Sequence, residues 1–132
     1  MCVFCKIIKG EIPCYKIYED EKTLAFLDIA DDSTGHTLVI PKNHYENVMD
    51  IPEDDLMAVM STVKKLANHY TTNCGYSGVN IMNASGVDAQ QSVFHLHFHI
   101  FPRMANDGLD TWPKFDKVNQ DFEKVRDLLK LD

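Results

Sequence analysis

The sequence predicts an α+β fold in which five antiparallel strands pack against one long helix. Two observations support this class. Short β-prone segments recur along the chain at close intervals, and one long amphipathic segment interrupts them. The 132 residues fit a single domain, and 45% hydrophobic with 25% charged residues excludes wholesale disorder. We therefore expect one folded domain over residues 1–132.

The first elements are short and lie close together. Residues 3–9 predict one or two helical turns. Residues 15–19 and 23–28 are β-prone and flank an acidic turn, and residues 36–40 form a third strand that ends before Pro41. Such close spacing favours antiparallel neighbours in the sheet.

A long helix is predicted over residues 53–73. Asp50 followed by Glu53 resembles a capping box, Pro52 suits the first turn, and Gly75 is a natural stop. Apolar residues recur at intervals of three and four, namely Leu56, Val59, Met60, Val63, Leu66, Ala67 and Tyr70. This stripe should face the sheet.

The second half of the chain alternates strands with polar segments. Residues 77–83 predict a short strand, residues 84–92 a polar loop, and residues 93–101 the strongest strand in the chain. Residues 119–131 have the pattern of a terminal amphipathic helix.

Charge and hydropathy exclude several classes of partner. The formal net charge is −7, and no run of basic residues is longer than Lys64-Lys65. Proteins that bind nucleic-acid backbones or anionic membranes depend on clustered cations, so we expect neither partner. No apolar run approaches the roughly 20 residues of a membrane span. No secretory signal is evident, and we expect a cytoplasmic protein.

Three histidines alternate along the strongest strand. His95, His97 and His99 should share one face, because successive side chains of a strand point to opposite sides. The alternating apolar residues, which should pack on the long helix, are Phe94, Leu96, Phe98 and Ile100. Three interpretations are open: a solvated face, one metal held by all three, or imidazoles with separate functions. The last is favoured, because imidazole can act as nucleophile, base or phosphate donor near neutral pH.

The pair Cys2-x-x-Cys5 is the second chemical signal. In a chain without an export signal, the four cysteines do not predict a disulfide framework. The pair therefore has a metal, a redox role or no role. A redox pair normally opens a helix after a strand, and no strand precedes this one.

The histidine pattern resembles the signature of the histidine-triad (HIT) family of nucleotide hydrolases and transferases. Further segments are similar to blocks of the same family in the same order, namely residues 4–13, 25–29, 35–44 and 91–95. The resemblance spans residues 3–103, which implies a HIT-like fold over that core and an extension over residues 104–132.

The resemblance implies catalytic roles for four residues. His97 would be the nucleophile that attacks the α-phosphorus of a nucleoside phosphate derivative, forming a covalent nucleotidyl-histidine that water then cleaves. Its other ring nitrogen should donate to a backbone carbonyl. His99 would contact the phosphate, His36 would approach from a neighbouring strand, and Ser92 would donate to the phosphate or the leaving group.

The resemblance also implies a nucleotide-binding set. Asp28 would accept hydrogen bonds from the ribose hydroxyls, Asn83 would touch the sugar or phosphate, and Gln91 flanks the catalytic serine. The apolar wall around a purine base would comprise Phe4, Ile7, Ile12 and Phe26. One departure from the family pattern is Gln90, which occupies a position where glycine would permit a positive φ.

Some HIT proteins carry a structural zinc, and the resemblance implies the same cofactor here, with no organic cofactor. The implied ligands are Cys2, Cys5, His44 and His95, a closed tetrahedral set. The implied function is hydrolysis of a purine nucleoside phosphoramidate. A dinucleoside polyphosphate hydrolase and a non-catalytic nucleotide-binding or scaffold module are the alternatives. The family also implies a homodimer, with two sheets joined at an edge and residues 53–73 at the interface.

Overall fold

A computed structural model describes residues 2–131. The elements in chain order are α1 (Val3–Ile8), β1 (Lys16–Glu19), β2 (Thr23–Leu27), β3 (Thr37–Pro41), α2 (Glu53–Asn73), β4 (Gly78–Met82), β5 (Phe98–Arg103) and α3 (Phe122–Leu129). The predicted α+β class is confirmed.

The five strands form one antiparallel sheet in the order β1-β2-β3-β5-β4. Strand β3 is central and all five of its residues are buried. Alternation along the strands sends Ala25, Val39 and Ile100 to the face that α2 covers, whereas Phe26 and Leu38 face α1. The first face is the main core, and the second lies under the amino-terminal helix.

Helix α2 has the predicted boundaries, and Val59, Val63 and Leu66 of its apolar stripe are buried against the sheet. The capping prediction is wrong. Pro52 is the N-cap residue and makes no side-chain cap hydrogen bond. The Asp50 carboxylate instead accepts from two backbone N–H groups in the turn before the helix, at distances of 3.0 and 3.1 Å. That local turn competes for the same carboxylate.

Strand β5 begins at Phe98, five residues later than the sequence predicts. The backbone before it bonds outside the sheet. The Leu96 N–H donates to the Tyr45 carbonyl at 2.7 Å. The His95 carbonyl accepts a hydrogen bond from the His97 side chain, and the His97 carbonyl accepts one from the Asn83 side chain. Pairing with β3 therefore starts only at Phe98.

The predicted alternation around the histidines is confirmed for most of the segment. Leu96 and Ile100 are fully buried in the core that α2 covers, and Phe98 packs against that core. Phe94 differs, since 42% of its surface is exposed. It precedes β5, in a segment whose backbone does not pair with β3.

The chain beyond β5 lies mostly at the surface. Helix α3 is shorter than predicted and begins after Asp121, whose carboxylate accepts from the Lys124 N–H. Most of its apolar side chains and several of the preceding segment are exposed, namely Trp112, Phe115, Val118, Phe122, Leu128 and Leu129. Among residues 2–131, no helix combines the length and the apolar character that a membrane crossing requires.

Candidate active site and metal centre

His97 lies just before β5 with only 7% of its surface exposed. Its Nδ1 is 2.8 Å from the His95 carbonyl oxygen. A carbonyl can only accept, so Nδ1 carries the ring proton and Nε2 keeps its lone pair. Burial lowers the pKa of His97, which favours the neutral imidazole. The side chain therefore has the tautomer that a nitrogen nucleophile needs.

Asn83 anchors the backbone of that histidine. Its Nδ2 donates to the His97 carbonyl at 3.0 Å, and its Oδ1 accepts from the Ser85 hydroxyl at 2.7 Å. The last ladder pair between β4 and β5 joins Met82 to His99. The Asn83 side chain thus extends that pairing by one step. It does not line the nucleotide-sized cavity described below.

Gln91 is buried and also points away from that cavity. Its Nε2 donates to the carbonyls of Glu46 and Val93, and its Oε1 accepts from the Gly86 N–H. These contacts close the loop that carries Ser92. The sequence associated Gln91 with nucleotide contact, whereas its bonds here are to the protein backbone.

Gln90 adopts the left-handed conformation, with φ 72° and ψ 25°. A non-glycine side chain is strained there by roughly 1–2 kcal/mol. Gln90 thus adopts the positive φ that a glycine would permit at this position. The loop therefore has the turn conformation that suits glycine, although Gln90 carries a side chain there.

His36 reaches the site through His99. The Nε2 of His36 is 2.8 Å from the Nδ1 of His99, and its Nδ1 is 2.8 Å from the Asp32 carboxylate. The His36 ring stacks on Phe101 with centroids 4.0 Å apart. The Asp28 carboxylate is 3.7 Å from the same Nδ1. His36 is therefore hydrogen-bonded on both ring nitrogens.

Asp32 is the residue of this group that the sequence analysis missed. It follows the acidic neighbour Asp31 in the loop between β2 and β3, and one acid in an acidic loop is a weak signal. Asp32 lies four residues before His36, but this spacing predicts a contact between them only if the loop conformation is known.

A cavity of about 410 Å³ opens beside the histidines. The predicted site residues that line it are Phe4, Ile7, Ile12, Phe26, Asp28, Ser92, His97 and His99. Aliphatic and aromatic groups form most of its wall, and Asp28 and the two histidines supply polar groups at one end. This combination suits a ligand with one flat apolar part and one anionic part.

Phe4 joins this wall to the histidines. Its ring meets Phe26 edge-on at 5.6 Å, and it meets His97 and His95 in the same way at 5.3 and 5.8 Å. The ring is 6% exposed. The position of α1 therefore determines both the shape of the cavity and the surroundings of His97.

Four side chains converge next to the cavity in a metal-binding arrangement, namely Cys2, Cys5, His44 and His95. The two sulfur–nitrogen contacts of Cys5 measure 3.4 and 3.6 Å, that of Cys2 measures 3.4 Å, and the two ring nitrogens are 3.1 Å apart. A tetrahedral zinc with bonds of about 2.3 Å to sulfur and 2.05 Å to nitrogen sets these separations near 3.5 and 3.3 Å. The donor set fits zinc in kind, number and spacing.

Hydrogen bonds to the protein backbone orient two of these candidate ligands. The Nε2 of His95 donates to the Pro41 carbonyl at 2.9 Å, which leaves Nδ1 free to bind a metal. The Cys5 backbone N–H donates to the Cys2 sulfur at 3.4 Å. Fully buried His95 belongs to this cluster, and its neighbour His97 belongs to the cavity. The three histidines thus divide between two sites.

Comparison with known proteins agrees with this arrangement. The HIT domain family model matches residues 9–106. An adenosine 5′-monophosphoramidase of Candida albicans is 41% identical over 99% of this chain and 93% of its own length. A crystal structure of a HIT family member from Bacillus subtilis superposes with a TM-score of 0.84 at 41% identity, covering 97% of this chain and 94% of that one.

A zinc-bound histidine triad family protein from Mycobacterium smegmatis also superposes, with a TM-score of 0.79 at 38% identity. The match covers 87% of this chain and 84% of that one. Fold, histidine arrangement and family match agree, and the chain belongs to the HIT, or histidine triad, family.

Proposed function

We propose that this protein is a nucleotide hydrolase that cleaves purine nucleoside phosphoramidates at the α-phosphate, through a covalent nucleotidyl-histidine at His97. The observation that carries the proposal is the His97 ring, whose Nδ1 is occupied by a carbonyl while the ring lines a nucleotide-sized cavity. The phosphoramidase name of the Candida albicans relative supports the choice of substrate class.

Substrate binding would use the two ends of the cavity. The purine base would lie between the apolar side chains of Phe4, Ile7, Ile12 and Phe26. The Asp28 carboxylate, which keeps an acceptor oxygen besides its bond to the Ala30 N–H, would accept from the ribose hydroxyls. These contacts would place the α-phosphorus next to His97, with Ser92 on the cavity wall beside it.

The first step forms a bond between His97 Nε2 and phosphorus while the bond from phosphorus to the leaving amine breaks. The amine leaves with one proton taken up from solvent. The His97 Nδ1–H bond to the His95 carbonyl stabilises the positive charge that develops on the ring. Water then attacks phosphorus, the bond to Nε2 breaks, one proton returns to solvent, and neutral imidazole is restored with a nucleoside monophosphate.

We propose a structural zinc on Cys2, Cys5, His44 and His95. Four protein ligands leave no position for a reacting water, so the ion would supply a crosslink and no Lewis-acid chemistry toward substrate. The crosslink would join the amino terminus to the segment after β3 and to the segment before β5. Asn83 and Gln91 would act by holding the backbone of the catalytic segment.

We further propose that residues 1–132 act as one domain, with a core over residues 3–103, in a cytoplasmic homodimer. Strand β4 lies at an edge of the sheet, with Ile81 and Met82 more than two-fifths exposed. Pairing of such edges would cover them. All four cysteines lie within the described residues and are free, which is compatible with a reducing compartment.

The test compares turnover of a fluorogenic adenosine phosphoramidate with turnover of diadenosine tetraphosphate. We expect the first to be the better substrate, and we expect His97→Ala to abolish turnover of both. The matched control is His69→Ala, since His69 is an exposed histidine of α2 that lines neither the cavity nor the candidate metal site. Binding of AMP without turnover by the wild-type protein would refute the proposal and identify a binding module.

A further inference from the structure

Asp32 is the outer member of a line of three hydrogen-bonded side chains. Its Oδ1 is 2.8 Å from His36 Nδ1, and His36 Nε2 is 2.8 Å from His99 Nδ1. His36 is 4% exposed, whereas the Asp32 side chain is half exposed. His99 lines the cavity, so the line runs from solvent to the place where the phosphate would bind.

The chemistry of the donors and acceptors allows two proton arrangements. An ionised carboxylate can only accept, so His36 Nδ1 carries a hydrogen in both. When the His36–His99 pair is neutral, His36 Nε2 is an acceptor and His99 Nδ1–H must donate to it. The remaining His99 nitrogen, Nε2, then has a lone pair and no hydrogen.

The second arrangement holds one more proton. His36 is then doubly protonated and donates from Nε2 to His99 Nδ1, which becomes the acceptor. His99 must therefore carry its hydrogen on Nε2. Only this arrangement directs an N–H toward an anionic phosphate, whereas the neutral arrangement would set a lone pair against it.

We propose that Asp32 is a positioning residue that stabilises the extra proton on the His36–His99 pair, so that His99 presents Nε2–H to the transferring phosphate. The inference rests on the proposed function and adds to it a residue that makes no contact with the cavity. Asp32 acts by fixing the hydrogen on His36 Nδ1 and by placing a negative charge next to the doubly protonated ring.

The charges around the pair support this location of the proton. Burial, with His97 and His36 close by, lowers the pKa of His99 to about 4. His99 therefore does not keep a second proton itself near neutral pH. His36 faces the carboxylates of Asp28 and Asp32 instead. The His36 ring also stacks on the uncharged Phe101, and His97 is the other titratable group close to the pair, with its ring centroid 4.9 Å from that of His99.

Histidine nitrogen NMR on the substrate-free protein tests the proton arrangement directly. In the wild type, we expect His99 to change from the Nδ1–H to the Nε2–H tautomer as the pair takes up its proton. Asp32→Asn should lower the pH of that change by about one unit, the lower end of the usual effect of an opposite charge, because Asp32 is half exposed. Asp31→Asn, the same change one residue earlier, should leave it unmoved.

The same variants test the consequence for turnover. Loss of the proton from the pair would give the basic limb of kcat/KM, so Asp32→Asn should move that limb to lower pH by the same unit. Rates on the acid side should stay equal to wild type, and Asp32→Glu should restore part of the shift. An Asp32→Asn tautomer titration that matches wild type would overturn the inference.

Failure of the proposed function has a different signature. If wild type turned over no nucleotide, the NMR titration would still show whether Asp32 controls the pair. If wild type were active and the tautomer titration moved while the pH profile did not, the role of the pair in turnover would be refuted and the hydrolase proposal would stand.

Discussion

Replacement of Asn83 by alanine should impair catalysis although the side chain lies outside the cavity. The change removes the donor that meets the His97 carbonyl at 3.0 Å, one step beyond the last ladder pair of β4 and β5. A buried carbonyl left without its partner costs about 1–3 kcal/mol. Since His97 is 7% exposed, water does not easily replace the lost donor.

The effect on rate should exceed the effect on binding. Without the Asn83 hydrogen bond, the backbone of His97 could shift and carry the ring out of line with the phosphorus. A displacement near 1 Å costs on the order of a hundredfold in rate. We expect kcat for an adenosine phosphoramidate to fall by about tenfold to a hundredfold. KM should stay within about threefold, because Asp28 and the apolar side chains of the cavity wall do not depend on the Asn83 hydrogen bond.

Urea unfolding and steady-state kinetics on the same preparation provide the measurement. Asn68→Ala is the matched control, because Asn68 is an exposed asparagine of α2 that lines neither the cavity nor the candidate metal site. Wild-type kcat in a variant destabilised by about 1–3 kcal/mol would show that Asn83 supports the fold alone. If both kcat and the free energy of unfolding equalled the wild-type values, the Asn83 hydrogen bond would contribute neither to catalysis nor to stability.

His97→Ala should retain AMP binding within about tenfold, equal to about 1.4 kcal/mol, when measured by calorimetry. Cys5→Ser or a chelator should lower the melting temperature and expose the amino terminus to protease, and native mass spectrometry should find one zinc per chain in the wild type. Because the folded-state pKa of His99 is lowered to about 4, the unfolded chain binds that proton more tightly. The free energy of unfolding should therefore fall by about 2 kcal/mol between about pH 7.5 and about pH 5. In the His99→Gln variant, the free energy of unfolding should fall by less over the same pH range. Gln90→Gly should raise the free energy of unfolding by up to about 1 kcal/mol in urea melts, because it relieves the left-handed strain at φ 72°.

Patterns local to one element could be predicted from the sequence. The spacing of apolar residues identified α2 from Glu53 to Asn73, and the alternation around the histidines identified which side of the segment faces the core. Both follow from helix and strand periodicity, which short stretches of sequence carry in full.

Features that depend on partners distant in sequence could not be predicted. Strand β5 begins at Phe98 because Tyr45 and Asn83 bind the preceding backbone, and neither contact leaves a local signal. The N–H groups that donate to the Asp50 carboxylate likewise depend on the turn before α2. Asp32 contacts His36 because of the conformation of the loop between β2 and β3, and hydrophobic periodicity does not predict loop conformations.

Helix α1 has a consequence for the energetics of the whole protein. Its six residues include Cys5 of the candidate metal site and Phe4 and Ile7 of the cavity wall, and Cys2 precedes it directly. A helix this short is unstable by itself, so its docking depends on what it binds. Occupancy of the four-ligand site and of the cavity should therefore be thermodynamically linked. By reciprocity, a nucleotide that tightens zinc binding by a given factor gains affinity from zinc by the same factor.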